Sequence, residues 1–513
     1  MRSLCSQGGA GSRVNAPRVS SLLLLAIGVS TACGSSGSDA GTADATSSEN
    51  STSGSTATVG GTPSATVTGT TSPGESSTDG TSTTGSVTGD FTVDLSLSEA
   101  IQTVGIVEFS TSRTLDSARI EFGRQPGSYE YSAPVDLAEP NYRTLLLGMK
   151  EATTYYVQVF GESGGTTLSS EVLTVETGNL PNSTPNVTVN DVNASALYGG
   201  FTINCTGVGG IGGTQGSGVA FIIDQDGDAV WSYDLAGTVV SGCSRARMSY
   251  DGKDMWIGNF SNVSPDGALM RLRMDGLTNE TYSFPGRHHD FTVLPNNNVL
   301  FQEQENGGMG MGGADEGPDI IRELDVNTGT AREIYHENTD FSEQIAESGA
   351  HTNYIKYVPH LNAISFSMRH TSTIAVITYP EVGETAELLM VFGGPLTDFD
   401  FSWEIQHGHE VLENSILIFN NNAEGSFGES AVLEYEYDLA TGTGTKVLDY
   451  RSGNSSGAFG DAHRLPNGNT FITYSTAGVW HEIDAAGTLL REMTTDGLGY
   501  SQHRKELYGP PPI

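Results

Sequence analysis

The 11 histidines of this chain all lie after residue 287, and four of them, His289, His351, His407 and His463, stand near the start of successive β-rich repeats. A repeat architecture that puts an imidazole at comparable positions of neighbouring units gathers those side chains about a common axis. A neutral imidazole is a nucleophile and a proton shuttle near neutral pH, because its unperturbed pKa is about 6.5. Arg369, in the stretch Ser365-Phe-Ser-Met-Arg-His-Thr-Ser-Thr-Ile374, follows the strand paired with the segment that His351 opens. A planar guanidinium matches a tetrahedral oxyanion such as sulfate or phosphate. Together these residues suit transfer of a sulfuryl or phosphoryl group through an N-linked histidine intermediate, with the remaining imidazoles binding the transferred oxygens and moving protons. No GxxxxGK[ST] loop is present to hold a nucleotide donor, so a route without nucleotide or other cofactor is expected.

The elements that must position these groups are β-hairpins. A pair of apolar runs joined by an Asn/Gly or Asp/Gly turn recurs at Met248-Ser-Tyr-Asp-Gly-Lys-Asp-Met-Trp256, Leu294-Pro-Asn-Asn-Asn-Val-Leu-Phe301, Leu412-Glu-Asn-Ser-Ile-Leu-Ile-Phe419 and Leu465-Pro-Asn-Gly-Asn-Thr-Phe-Ile472, and in degraded form between Val358 and Ile364. Alternating second pairs follow, such as Asp319–Val326, Ala431–Leu439 and Gly478–Asp484. With Phe221–Tyr233 as the first such pair, the spacing predicts about six four-stranded blades over 196–513, an all-β propeller. His289 lies five residues before Leu294 and His407 five before Leu412, so both enter their innermost strands in one register. His463 is only two residues before Leu465 and reads as structural. His288 reads as loop support, and His336, His360, His370, His481 and His503 as turn or surface residues.

Residues 91–178 carry strand-like runs at sandwich spacing, and Leu147-Gly-Met-Lys-Glu-Ala-Thr-Thr-Tyr-Tyr156 looks like a fibronectin type III corner. This unit has no histidine or cysteine and is expected to be a separate spacer or docking module. Ahead of it, Arg13 and Arg18 precede the short apolar run Leu22–Val29 and then Ser30-Thr-Ala-Cys33, a lipoprotein-type signal over 1–33 with Cys33 as the lipidated residue. Residues 34–90, rich in Ser, Thr and Gly, are expected to form a disordered tether. The implied location is the cell envelope, held at a membrane, the outer one, by the lipid. Cys205 and Cys243 remain as a pair in an oxidising compartment, and a disulfide closing the first blade is expected rather than a metal site or reactive thiol. A formal charge of −37, with 24 Lys and Arg against 61 Asp and Glu, argues against a nucleic-acid partner.

Three segments then reach a family. His288-His-Asp-Phe291 with Leu294-Pro-Asn296, His351-Thr-Asn-Tyr-Ile355 with Ser367-Met-Arg-His370, and Gln406-His407 with Leu412 and Phe419-Asn-Asn421 resemble, in order and spacing, the motifs of bacterial arylsulfotransferases. The resemblance implies a six-bladed propeller behind an N-terminal β-sandwich. It also implies His407 as the nucleophile that takes a sulfuryl group from an aryl sulfate and passes it to a phenol, with His289, His351 and Arg369 around the sulfuryl oxygens. Two departures stand out. Asn420 occupies a place where the family has Asp, and His409 stands beside the nucleophile as a competitor, although the Leu412 register favours His407. A propeller that only binds anionic or aromatic ligands, or a metal-dependent propeller enzyme using the three histidines, is the alternative. Asp224-Gln-Asp-Gly-Asp228 resembles a calcium loop but reads as a hairpin turn. The Gly-rich stretch 207–218 reads as a loop, and 306–313 as an insertion near the channel.

Overall fold

Antiparallel pairing organises almost the whole described chain. The computed structural model describes residues 83–84, 91–207, 218–260, 267–305, 317–422 and 428–510. The signal segment with Cys33, the tether apart from a short strand at 83–84, most of the Gly-rich loop and the insertion at 306–313 lie outside the described residues.

Five four-stranded sheets and a last, five-stranded one, in which Thr188–Asp191 adds to the outer edge, follow one another as blades. The innermost strands of blades two to six are Cys243–Met248, Arg287–Val293, Thr352–Val358, Gln406–Val411 and Asp461–Arg464. Blade one is completed from both ends of the propeller segment, because Gln502–Arg504 pairs with Phe201–Cys205. That pairing closes the ring and leaves no open edge between the first and last blades. Hydrogen bonds tie each inner strand to the next. The Ser244 hydroxyl donates to the His289 carbonyl (2.5 Å), Ile355 N–H to Asp290 (3.2 Å) and the Asn353 amide to the Gln406 carbonyl (2.7 Å). Gly408 N–H reaches the Gly460 carbonyl (2.9 Å), Ser501 N–H Asp461 (3.1 Å) and Tyr500 N–H the Ser244 carbonyl (2.9 Å). The recurrent turns lie where the Asn and Gly residues predict them, with Leu294, Leu412 and Leu465 each donating N–H to a carbonyl three or four residues on. Core side chains pack between blades, as where Leu300, Ile321, Ile355 and Ile364 join one cluster across blades three and four.

Residues 91–178 form two further sheets around a core of their own that includes Phe91, Val107, Ile120, Val157 and Tyr155. Tyr155 accepts the Lys150 N–H at 2.9 Å, the expected corner contact. The unit also packs on the propeller, since Ile101, Val104, Leu147 and Leu180 enter the core of blades one and two. Lys150 also extends into the Asp224–Asp228 turn, where its ammonium meets Asp224, Asp226 and Asp228 at 3.1, 2.7 and 2.6 Å. These aspartates are the one group among the described residues with metal-ligand spacing, and the lysine sits in their midst. Cys205 and Cys243 are bonded, but the bridge joins blade one to the inner strand of blade two and does not close a single blade. A cross-link between neighbouring blades stabilises the start of the ring.

Candidate active site

The inner strands are interrupted where the candidate residues stand. Register shifts fall between Arg287 and Phe291, between Thr352 and Tyr354, and between Gln406 and His409. The backbone turns through positive φ at His289 (48°) and His351 (55°), a conformation unfavourable for residues with a Cβ. A β-bulge re-aims a side chain out of the ladder's alternation, and here it directs the imidazoles to one end of the channel. The His289 ring lies 4.8 Å from His351 and 6.2 Å from His407, centroid to centroid. Gly408 permits the close approach that seats His407, since a Cβ there would fall 2.3 Å from the Asp461 Cβ. Arg369 N–H donates to the His351 carbonyl at 3.1 Å, which pins the guanidinium-bearing turn to the same opening. Its charge acts on both His289 and His407. The four residues singled out in the sequence therefore converge.

Hydrogen bonds decide which nitrogen of each ring carries the proton. The Asn421 amide NH2 donates to the carbonyls of Ser456 and Phe459, each at 2.7 Å, so its oxygen faces His407 Nδ1 at 2.8 Å. His407 must then be protonated on Nδ1, leaving the Nε2 lone pair unused. Burial first, and then the Arg369 charge, hold the His407 pKa down to about 3, against the opposing Asn421 contact. The ring is neutral across the physiological range. A second relay fixes His289. Asp319 sits 3.0 Å from His288 Nε2, and His288 Nδ1 lies 2.8 Å from His289 Nδ1. With His288 Nε2–H donating to the carboxylate and its Nδ1 accepting, His289 donates from Nδ1 and presents a bare Nε2. Asp319 is itself held by the Thr352 N–H at 2.7 Å. Burial and that carboxylate push Glu337, behind it, well above the usual range.

The departure at Asn420 falls away from His407. Its side-chain oxygen accepts the N–H groups of Glu404 and Asn422, both at 3.3 Å, and shapes the turn, while Asn421 makes the contact to His407. His409 points elsewhere, with Nε2 2.8 Å from the Ser365 hydroxyl. His463 stays outside the site beside Asp461 and Lys356. His288 is buried and links Asp319 to the His289 ring. His370 lies in a turn, as the sequence predicts, half-buried with its ring 4.9 Å from His351. His481 and His503 are also packed inward, on Tyr450 and Glu492 and on Thr202 and the Gly199 carbonyl.

Sequence reasoning missed an aromatic wall. Phe260 meets the His289 ring edge-on at 4.7 Å, Phe459 lies 5.8 Å from His289 and 6.1 Å from His407, and Tyr500 lies 6.4 Å from His407. A register signal existed for it. Phe260, Arg369 and Asn421 each directly follow the second strand of their blades, which end at Asn259, Met368 and Asn420. That position faces the opening in every case, whichever residue fills it. As for a metal, the rings of His289, His351 and His407 do not bring three nitrogens within 4.8 Å of one another, and a guanidinium stands beside them. The donor set fits an oxyanion, not a cation.

No curated protein matches this chain. Solved structures match at low similarity: a streptogramin B lyase (15% identity, 60% of this chain and 87% of that one, TM-score 0.35), a protein from Lactobacillus plantarum (12%, 75% and 99%, 0.37) and the virginiamycin B lyase from Staphylococcus aureus (14%, 60% and 88%, 0.33). The arylsulfotransferase (ASST) family model matches residues 212–497 of the 513, a span that contains His289, His351, Arg369 and His407. The chain thus belongs to the arylsulfotransferase family, enzymes that move a sulfuryl group from an aryl sulfate to a phenol.

Proposed function

We propose that this enzyme works in two half-reactions through a sulfo-histidine on His407. The Nε2 lone pair attacks the sulfur of an aryl sulfate, and the S–O bond breaks with its electron pair leaving on the aryloxide. That aryloxide takes a proton delivered from water by way of the half-buried His351. An acceptor phenol then binds and gives its proton to His289 Nε2, while its oxygen attacks the sulfur and the N–S bond breaks. His407 is restored, and the proton leaves through the neighbouring His351 ring. Arg369 neutralises the equatorial oxygens as charge builds on them. The observation that carries this reading is the Asn421 amide, oriented by two carbonyls, which leaves the buried His407 neutral with an unprotonated Nε2.

Purified protein given 4-nitrophenyl sulfate and a phenol, without nucleotide or added metal, should release nitrophenol in an acceptor-dependent manner. Mass analysis of enzyme quenched without acceptor should find the sulfuryl group on the His407 peptide. Full turnover by His407→Asn would refute the assignment. We further propose that Cys33 is lipidated and holds the enzyme at the outer membrane. Metabolic labelling with an alkyne fatty acid should mark the parent chain and not Cys33→Ala.

A further inference from the structure

We propose a second binding site at the opposite end of the channel, one that takes a small aromatic carboxylate on Arg247. The four transfer residues gather where the inner strands begin. A separate pocket opens where those strands end, and all six contribute to it, through Arg247, Thr292, Lys356, Glu410, His463 and Gln502 among others. Between the two ends the channel is filled. The Arg245 guanidinium pairs with Asp290 and with Asp461, and the rings of Tyr354 and Tyr500 cover it at 5.3 and 4.6 Å. What enters the far pocket therefore does not reach His407 through the axis.

Arg247 is two residues beyond Arg245, so strand alternation turns it to the same channel side. It is only 8% exposed. Its one hydrogen bond among the described residues runs from Nη1 to the Thr292 hydroxyl, and its buried Nε has no partner. The other cations of the pocket are engaged, Lys356 with Glu410 and Arg464 with Glu434. The second carboxylate of the Arg245 cluster balances Arg247 in charge from a distance but takes none of its hydrogen bonds. A desolvated guanidinium with its Nε left unpaired opposes folding, and an unsatisfied buried group in a native chain points to a role. The Nε–Nη2 edge offers two parallel donors, the geometry that a planar carboxylate accepts bidentately. Tyr250 and Tyr357 line the same pocket and give a flat organic body something to lie against.

Benzoate is the probe, with benzyl alcohol as the uncharged control, titrated calorimetrically into the full-length protein. The expected result is one benzoate per chain and no heat with the alcohol. Binding should weaken about tenfold or more in Arg247→Met, the loss expected for one charge-assisted pair. The same should follow in Thr292→Asp, which hands the guanidinium an internal carboxylate. Arg369→Met, at the transfer site, should bind benzoate like the parent, and Arg247→Met should melt at or above the parent temperature. Parental benzoate affinity in both Arg247→Met and Thr292→Asp would overturn the proposal, as would loss of binding in Arg369→Met alone. No measurable benzoate binding to the parent would overturn it too. Because Arg247 lies outside the transfer machinery, aryl sulfate turnover by Arg247→Met tests neither reading against the other, and each can fail separately.

Discussion

Two arcs of one ring meet at the active end of this propeller, and they use equivalent backbone positions for different chemistry. Blades three, four and five place His289, His351, Arg369, His407 and Asn421 there. Blades two, six and one place Phe260, Phe459 and Tyr500. In both arcs the side chains come from the start of an inner strand or the residues just ahead of it, or from the residue after the second strand. The scaffold specifies where a side chain must point, and residue type alone divides the opening into a polar half, which the proposed mechanism assigns to the sulfuryl group, and an aromatic half against which it would lay the aryl ring. Such a division lets the substrate's two parts be bound independently, which suits an enzyme that exchanges one aryl group for another on the same sulfuryl unit.

The division is broken most severely by removing charge from the polar arc. Arg369→Met should lower kcat with 4-nitrophenyl sulfate by about a hundredfold to a thousandfold, the usual cost of losing one preorganised donor at a developing oxyanion. A KM change without a kcat change would move Arg369 from the transition state to simple binding. Asp319→Asn comes next. Without a carboxylate to hold the His288 proton on Nε2, the His289 tautomer is no longer fixed, and the transfer step to phenol should slow by about ten- to a hundredfold, as for other groups that orient a reacting residue. The formation of sulfo-enzyme, which does not need His289 as base, should be affected much less. Equal losses in both half-reactions would show that Asp319 only supports the fold.

Much of the polar arc was legible because blade periodicity puts His289 and His407 five residues ahead of a turn leucine. The aromatic arc was not, since a phenylalanine between strands reads as core, and three dispersed aromatics carry no sequence pattern of their own. His288 was undervalued for a related reason: its worth depends on Asp319, which belongs to a different strand and meets it only once blade three is folded. The position after the second strand is periodic, but its occupants Phe260, Arg369 and Asn421 differ in every property that a pattern search would compare. The disulfide pair was readable by elimination, yet which strands it would join depended on the ring closure supplied by Gln502–Arg504 at the far end of the chain.

Truncating the aromatic arc sharpens the comparison from the other side. Phe459→Ala should raise KM for 4-nitrophenyl sulfate by about tenfold, in line with ring contacts worth on the order of 1 kcal/mol beyond their buried area, while leaving single-turnover sulfuryl transfer at saturation within about threefold. A large kcat loss would mean that Phe459 orients His407, which it also touches, more than it receives the aryl group.

The smallest expected effect is an absence of pH dependence. His407 is held down to about 3 by burial and by Arg369, so the ring stays neutral, with Nε2 bare, as pH falls from 7.5 to 5. Burst formation of sulfo-enzyme should change by less than about twofold over that interval, where an ordinary imidazole of pKa about 6.5 would lose more than tenfold of its reactive form. Stability moves the opposite way. His407 and His409, both depressed to about 3 and buried, stay neutral in the folded chain while their unfolded counterparts take up protons below about 6.5. Each therefore subtracts up to about 1.4 kcal/mol of stability per pH unit below that point. Melting temperature should thus fall through a range in which the sulfation burst stays level, and His409→Gln should flatten the fall without altering the burst. A burst that declined with an apparent pKa near 6.5 would mean that His407 is solvated and charged in the resting enzyme, and the polar arc would lose its nucleophile.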